Sequence, residues 1–202
     1  MNELASQIAQ QMVQRYFIEL EASGRHVHLT EADARALFGH RLTFLRDLSQ
    51  PGQYVCNERV TLVGPKGEIA NVAVLGPERS ASQVELSMTD CVALGVRAPV
   101  RLSGNIADTP GITLRANGNS ITLQQGVIVA KRHIHMTPED ATAHGVQDKA
   151  VVKLRCLTGR PLIFDDVVVR VSPDFRTRAH LDFDEANACG FVKGDLGMIV
   201  HE

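Results

Sequence analysis

The segment Arg25-His26-Val27-His28-Leu29-Thr30 returns 107 residues later as Arg132-His133-Ile134-His135-Met136-Thr137, and each copy continues to an Asp three residues beyond its Thr and then an Ala. A repeat at that spacing predicts two structurally related halves. In each copy a short strand should end at a Thr that caps a helix, with Asp33 or Asp140 at the third helical position, a weaker relative of the capping box. A second, gapless match lays Val84-Glu85-Leu86 through Gly95 over Ala179-His180-Leu181 through Gly190, and sets Glu85 opposite His180.

The remaining sequence favours short strands over long helices. There are seven Phe, two Tyr and no Trp, and Val and Ile gather in runs such as Val72-Ala73-Val74-Leu75 and Val167-Val168-Val169-Arg170-Val171. Gly64-Pro65-Lys66-Gly67 reads as a hairpin tip. A phosphate-binding loop would need a longer glycine-rich stretch ending in Lys-Ser/Thr at a helix. Breaks at Asp108-Thr109-Pro110-Gly111 and Asn117-Gly118-Asn119 suggest a first half over 22–118 and a second over 119–202, with exchange of strands between them allowed. Residues 1–21 differ: Leu4, Ile8, Met12 and Tyr16 recur at spacing four beside Ala5 and Ala9, the pattern of an amphipathic helix that packs on the protein itself or docks on a partner.

Composition excludes several classes of function. The 202 residues carry 21 basic and 23 acidic side chains, well mixed, for a net charge of -2, so no basic stripe exists to neutralise a nucleic-acid backbone. No apolar run reaches the roughly 20 residues needed to cross a bilayer. Cys56, Cys91, Cys156 and Cys189 lie far apart, and the first residues lack the pattern of a secretory signal, so reduced thiols in a cytoplasmic protein are expected.

In a strand, residues i and i+2 face the same way, so His26 and His28 can aim at one point, as can His133 and His135. With eight histidines, roughly 0.3 His-x-His triplets are expected by chance, so two in matching context carry weight. The plainer explanation, histidines kept for structural hydrogen bonds, weakens when Glu85 and His180 are added. Each half then offers three donors and leaves coordination positions open, a set suited to Zn²⁺, with Co, Ni or Fe compatible by ligand type. His40, His144 and His201 lack this spacing and are expected to face solvent.

Several segments together resemble the PduL-type phosphotransacylases, or phosphate propanoyltransferases, from residue 22 almost to the end. They are Ser-Gly-Arg-His-Val-His-Leu, Val-Thr-Leu-Val-Gly-Pro-Lys-Gly, Val-Leu-Gly-Pro-Glu-Arg, Arg-Ala-Pro-Val-Arg-Leu-Ser-Gly, Arg-His-Ile-His-Met-Thr-Pro-Glu-Asp-Ala and Asp-Glu-Ala-Asn-Ala. The resemblance implies a mainly β fold of two β-barrel domains capped by short helices, with a two-zinc site where they meet. It implies conversion of acyl-CoA, propanoyl or acetyl, and phosphate into acyl phosphate and coenzyme A. Carried over position by position, it makes His26, His28 and Glu85 ligands of one zinc and His133, His135 and His180 ligands of the other, the grouping that the aligned halves suggest independently. It further makes Arg79 the phosphate-binding cation, and it places Ser23 and Asn187 near coenzyme A, with His180 at that end as well.

On this reading the first zinc suits the coenzyme A sulfur, a soft thiolate, and the second faces phosphate or the thioester carbonyl. Arg25 and Arg132 point to the opposite strand face and are expected to be structural. Family members housed in bacterial microcompartments often carry an N-terminal amphipathic extension, which here would direct residues 1–20 to a shell or cargo partner. Deleting them should abolish lumenal targeting and spare activity, and unchanged targeting would sink the idea. Two rivals remain: a binuclear zinc thioester or phosphoester hydrolase, and a non-catalytic metal-bound scaffold. Homo-oligomerisation and the preferred acyl chain are left open.

Overall fold

A computed structural model describes residues 16–200, which form fifteen strands and four short helices. The fold is mainly β, and it divides into two compact units, one of residues 24–131 and one combining the N-terminal segment through Ser23 with residues from Arg132 onward.

The 24–131 unit holds β2 (His26–His28), β3 (Phe44–Asp47), β4 (Tyr54–Val63), β5 (Glu68–Gly76), β6 (Gln83–Leu86), β7 (Val100–Arg101), β8 (Ile112–Ala116), β9 (Asn119–Leu123) and β10 (Val127–Ala130), with helices α1 (Glu31–Phe38) and α2 (Met88–Leu94). Its strands run β7-β10-β6-β2-β5-β4-β8-β9, with β3 on β4, as a curled sheet that does not close. Alternation along β4 and β5 turns Val60, Leu62, Val72 and Val74 into the core, where Val27, Val84 and Leu114 meet them.

In the other unit β1 (Ile18–Ser23), β11 (His133–Met136), β12 (Val151–Leu157), β13 (Leu162–Val171), β14 (Arg178–Asp182) and β15 (Leu196–Val200) close into a six-stranded barrel, accompanied by α3 (Pro138–Ala143) and α4 (Phe183–Cys189). Leu20, Ile134, Leu154, Val169 and Leu181 fill it. Among the described residues no helix is long and apolar enough to cross a membrane.

Two expected boundaries move. Residues 1–15, with Leu4, Ile8 and Met12, lie outside the described residues, but the expected helix over 1–21 gives way to β1 at Ile18. Ile18-Glu19-Leu20-Glu21 alternates apolar and acidic with period two, and Ile18 and Leu20 are buried. A truncation that tests targeting must therefore stop before Ile18. The expected boundary at 118/119 falls inside the first unit, because Asn117 and Gly118, both at positive φ, form the tight turn of the β8–β9 hairpin. That unit runs on to Lys131. Gly64–Gly67 does close a hairpin, with the Gly64 N–H donating to the Gly67 carbonyl at 2.9 Å.

The repeat reaches further upstream than the matched motif. β1 lies parallel to β14 and β10 parallel to β6, with Leu20 beside Ala179 and Val127 beside Val84. Leu20 and Val127 are again 107 residues apart. Each His-x-His strand is thus preceded by a strand that pairs in the other unit's sheet.

Candidate active site

The geometry of the first donor group follows from one antiparallel pair. β2 and β6 are registered so that His26 faces Glu85 and His28 faces Gln83. His26, His28 and Glu85 are all buried, and their donor atoms lie within 4.8 Å of one another. His26 Nε2 is 3.5 Å from one Glu85 oxygen and His28 Nε2 is 3.9 Å from the other. The Gly24 carbonyl, 2.8 Å from His26 Nδ1, can only accept, so it fixes one proton on Nδ1. Nε2 then turns the second proton of the charged ring toward Glu85, or a lone pair toward a metal ion that displaces that proton.

Burial would by itself raise the Glu85 pKa, but the charges of His26 and His28 and a hydrogen bond from His26 hold it far below the usual carboxylate range. Burial likewise works against a charged His26, and the Glu85 charge outweighs it, so the His26 pKa is raised. His28 is pushed well below its ordinary value, by burial first and then by His26 and Arg79.

A polar network stands behind Glu85. Gln83 Nε2 donates to Glu85 Oε1 at 2.6 Å and to Ser103 Oγ at 2.9 Å, while Gln83 Oε1 accepts from the Gly104 N–H at 2.8 Å. Arg79 Nη1 donates to the same Ser103 hydroxyl at 3.0 Å. The half-buried Arg79 is close enough for its charge to act on both His26 and His28. Gln83 stands two residues before Glu85 on β6, a same-face spacing that could have marked it, whereas the spacing of Ser103 gives no signal.

The second group repeats the arrangement in the barrel. β11 and β14 set His133 opposite His180 and His135 opposite Arg178, and the donor atoms of His133, His135 and His180 also lie within 4.8 Å of one another. His135 Nδ1 and His180 Nε2 are 3.2 Å apart, near the separation of about 3.3 Å that two imidazoles adopt on one tetrahedral zinc. The hydrogen bond through Nδ1 leaves the other ring nitrogen of His135, Nε2, buried without a partner, which costs on the order of 1–3 kcal/mol. Burial, then His133 and Arg170, push the His135 pKa down to about 3, which keeps the ring neutral as a metal ligand must be. Both donor sets therefore fit Zn²⁺, three protein donors each, the number found at catalytic rather than closed structural zinc sites.

Arg170 sits beside His135 in the parallel register of β11 and β13, and the Phe175 ring lies 4.1 Å from that of His135. Neither residue carries a sequence signal of its own. Arg25 pairs with Asp90 at 2.8 Å and Arg132 with Glu185 at 2.8 Å. Asp90 and Glu185 are the third-position acids in the capping boxes of α2 and α4, so both arginines fasten a helix to the strand that carries the histidines.

Ser23 ends β1 opposite Asp182, and Asn187 is exposed on α4. His40 is exposed, whereas His144, expected at the surface, is 5% exposed where α3 ends. The chain turns back there through Gly145, with the Val146 N–H donating to the Ala141 carbonyl at 2.9 Å. His201 lies outside the described residues.

The fold and site define a two-unit β protein in which a repeated strand pair presents one three-donor group per unit. The family model for phosphate propanoyltransferase matches residues 19–192. The chain is 56% identical to the phosphate propanoyltransferase of Listeria monocytogenes over 205 residues, covering 98% of this chain and 96% of that one. It is 55% identical to the one from Enterococcus faecalis (99% and 97% covered) and 53% identical to the one from Thermotoga maritima (88% and 86% covered). The chain belongs to the phosphate propanoyltransferase family and is an acyltransferase.

Proposed function

We propose that the protein transfers an acyl group, propanoyl or acetyl, between coenzyme A and phosphate with two zinc ions, one at His26/His28/Glu85 and one at His133/His135/His180. The observation that carries this reading is the recurrence of a three-donor group, buried in one unit and half-buried in the other, at the same ladder position of both units, in a chain of this family.

When bound, the ions supply Lewis acidity, which favours departure of a thiolate and polarises carbonyl or phosphate oxygen. The residues supply position and charge. His26, its proton held on Nδ1 by Gly24, keeps Nε2 as a donor, and Gln83 occupies one oxygen of Glu85 so that the other stays available. Arg79, braced by Ser103, offers a guanidinium for paired hydrogen bonds to phosphate. In the forward direction a phosphate oxygen attacks the thioester carbonyl and forms the C–O bond, the C–S bond breaks, and the proton of hydrogen phosphate leaves with coenzyme A. No protein nucleophile is consumed. Ser23, Asn187 and His180 are proposed to contact coenzyme A.

The test measures coenzyme A release from propanoyl-CoA and acetyl-CoA, with and without phosphate, on protein of known metal content. Expected are phosphate-dependent release with two zinc ions bound, loss of one zinc and of activity in His133→Ala, and a higher phosphate KM in Arg79→Ala. Loss of a charged hydrogen bond, roughly 1.5–3 kcal/mol, corresponds to about a 10- to 100-fold drop in kcat/KM for phosphate. Release in the absence of phosphate would instead identify a hydrolase, and inactivity with both metals bound a scaffold.

A further inference from the structure

We infer that Asp33 and Asp140 are positioning residues that lock together the two strands supplying each donor group, an inference that rests on the metal reading above. In the first unit the Thr30 hydroxyl caps α1 by accepting from the Asp33 N–H at 3.1 Å. A helix cap needs no more than that. Yet the Asp33 carboxylate also reaches a residue 49 positions away, accepting from the Ser82 hydroxyl at 2.5 Å, while Ser82 Oγ accepts from the Thr30 N–H at 2.9 Å. Thr30 lies two residues beyond His28, and Ser82 three residues before Glu85. The clamp therefore closes the end of the β2–β6 pair on which all three donors stand.

The second unit repeats two of these three bonds with repeat-equivalent residues. Thr137 Oγ1 accepts from the Asp140 N–H at 3.1 Å, and the Thr177 hydroxyl donates to the Asp140 carboxylate. Thr177 lies three residues before His180, as Ser82 lies before Glu85, and Asp140 lies five beyond His135, as Asp33 lies beyond His28.

The need for a clamp follows from the shortness of the ladders. β2 has three residues, and only three registered pairs join it to β6, as three join β11 to β14. A slip of one residue would turn the third donor to the opposite face of the sheet. In both groups the three donors must also stay within 4.8 Å of one another for a single cation to reach them all. A hydroxyl–carboxylate bond beside the donors holds them in place before a cation arrives, so that metal binding does not have to restore the register.

The test is a competition titration of metal-free protein against a chromogenic zinc chelator, with His133→Ala and His26→Ala backgrounds isolating each site in turn. Asp33→Ala should weaken zinc at His26/His28/Glu85 by about 10- to 100-fold, the usual range for outer-shell partners, and leave the barrel site unchanged. Asp140→Ala should do the reverse. Asp33→Asn, Ser82→Thr and Thr177→Ser keep an acceptor or a hydroxyl in place and should retain tight binding. Ser82→Ala gives the same reading should Asp33→Ala fail to fold. Unchanged affinity at both sites in Asp33→Ala and Ser82→Ala, with only a lower unfolding midpoint, would reduce the aspartates to helix caps and overturn the inference. If wild-type protein binds no zinc at either group, the metal reading falls first and this inference with it.

Discussion

His135 has its pKa pushed down to about 3, chiefly by burial, with the charges of His133 and Arg170 acting in the same direction. Below the ordinary histidine value of 6.5, the unfolded chain therefore takes up a proton that the folded chain refuses. The contribution of this residue is present above pH 6.5 and erodes as the pH falls from there toward 3. His28, also lowered, acts in the same sense, and so does Glu85, whose depressed pKa makes its contribution fail in acid. His26 opposes them, because its raised pKa favours the fold below its own value. Metal-free protein should thus lose stability between pH 6.5 and 4, read as a falling urea midpoint, and His135→Gln should flatten that slope; an unaltered slope would place the acid sensitivity elsewhere. At this scale the sequence was informative wherever spacing carries geometry. The i, i+2 histidines share a face, and the gapless match of the halves paired Glu85 with His180, the residues the ladders set opposite His26 and His133. Gln83 shares the i, i+2 spacing with Glu85 but is not a donor by residue type, and Ser103, Arg170 and Phe175 carry no such spacing at all.

β1 is the element that sequence reading handles least well. Its period-two alternation was legible, but its partners β14 and β15 lie more than 150 residues on, and no local signal names a partner at that range. The spacing-four pattern of the preceding residues also ran on into it. Once placed, its energetics are plain: Leu20 is 2% exposed in the barrel core. Leu20→Ala should cost about 2–5 kcal/mol, and chemical denaturation followed by a probe within 132–200 should report the loss although the substituted residue lies at the other end of the chain. A loss confined to probes in 24–131 would contradict the barrel assignment. The turns were easier, because Gly64-Pro65-Lys66-Gly67 and Asn117-Gly118 carry their own backbone chemistry; the second was mistaken for a domain break only because a tight hairpin and a linker share the same residues.

On the scale of the whole molecule, the chain divides differently from its sequence repeat. Every strand of the curled sheet, β2 through β10, lies within residues 24–131, so that fragment should fold alone and bind one zinc at His26/His28/Glu85. The complementary fragment 132–202 lacks β1 and leaves the edges of β14 and β15 open, a form prone to aggregate. Topology supplies the remedy. β1 runs antiparallel to β15, with Ile18 beside Gly197 and Glu19 beside Leu196, so a chain leaving Val200 needs only a hairpin turn to enter at residue 16. A permuted protein consisting of 132–200, an Asn-Gly turn and 16–23 should restore the closed six-stranded barrel. It should be monodisperse, show cooperative unfolding and bind zinc through His133, His135 and His180. A fragment cut at the sequence repeat, 119–202, should not, since it carries β9 and β10 of the other sheet and lacks its own first strand. If both fragments folded equally well, β1 would be dispensable to the barrel, and the pairing of each His-x-His unit with a strand from the opposite end of the repeat would be incidental to the fold.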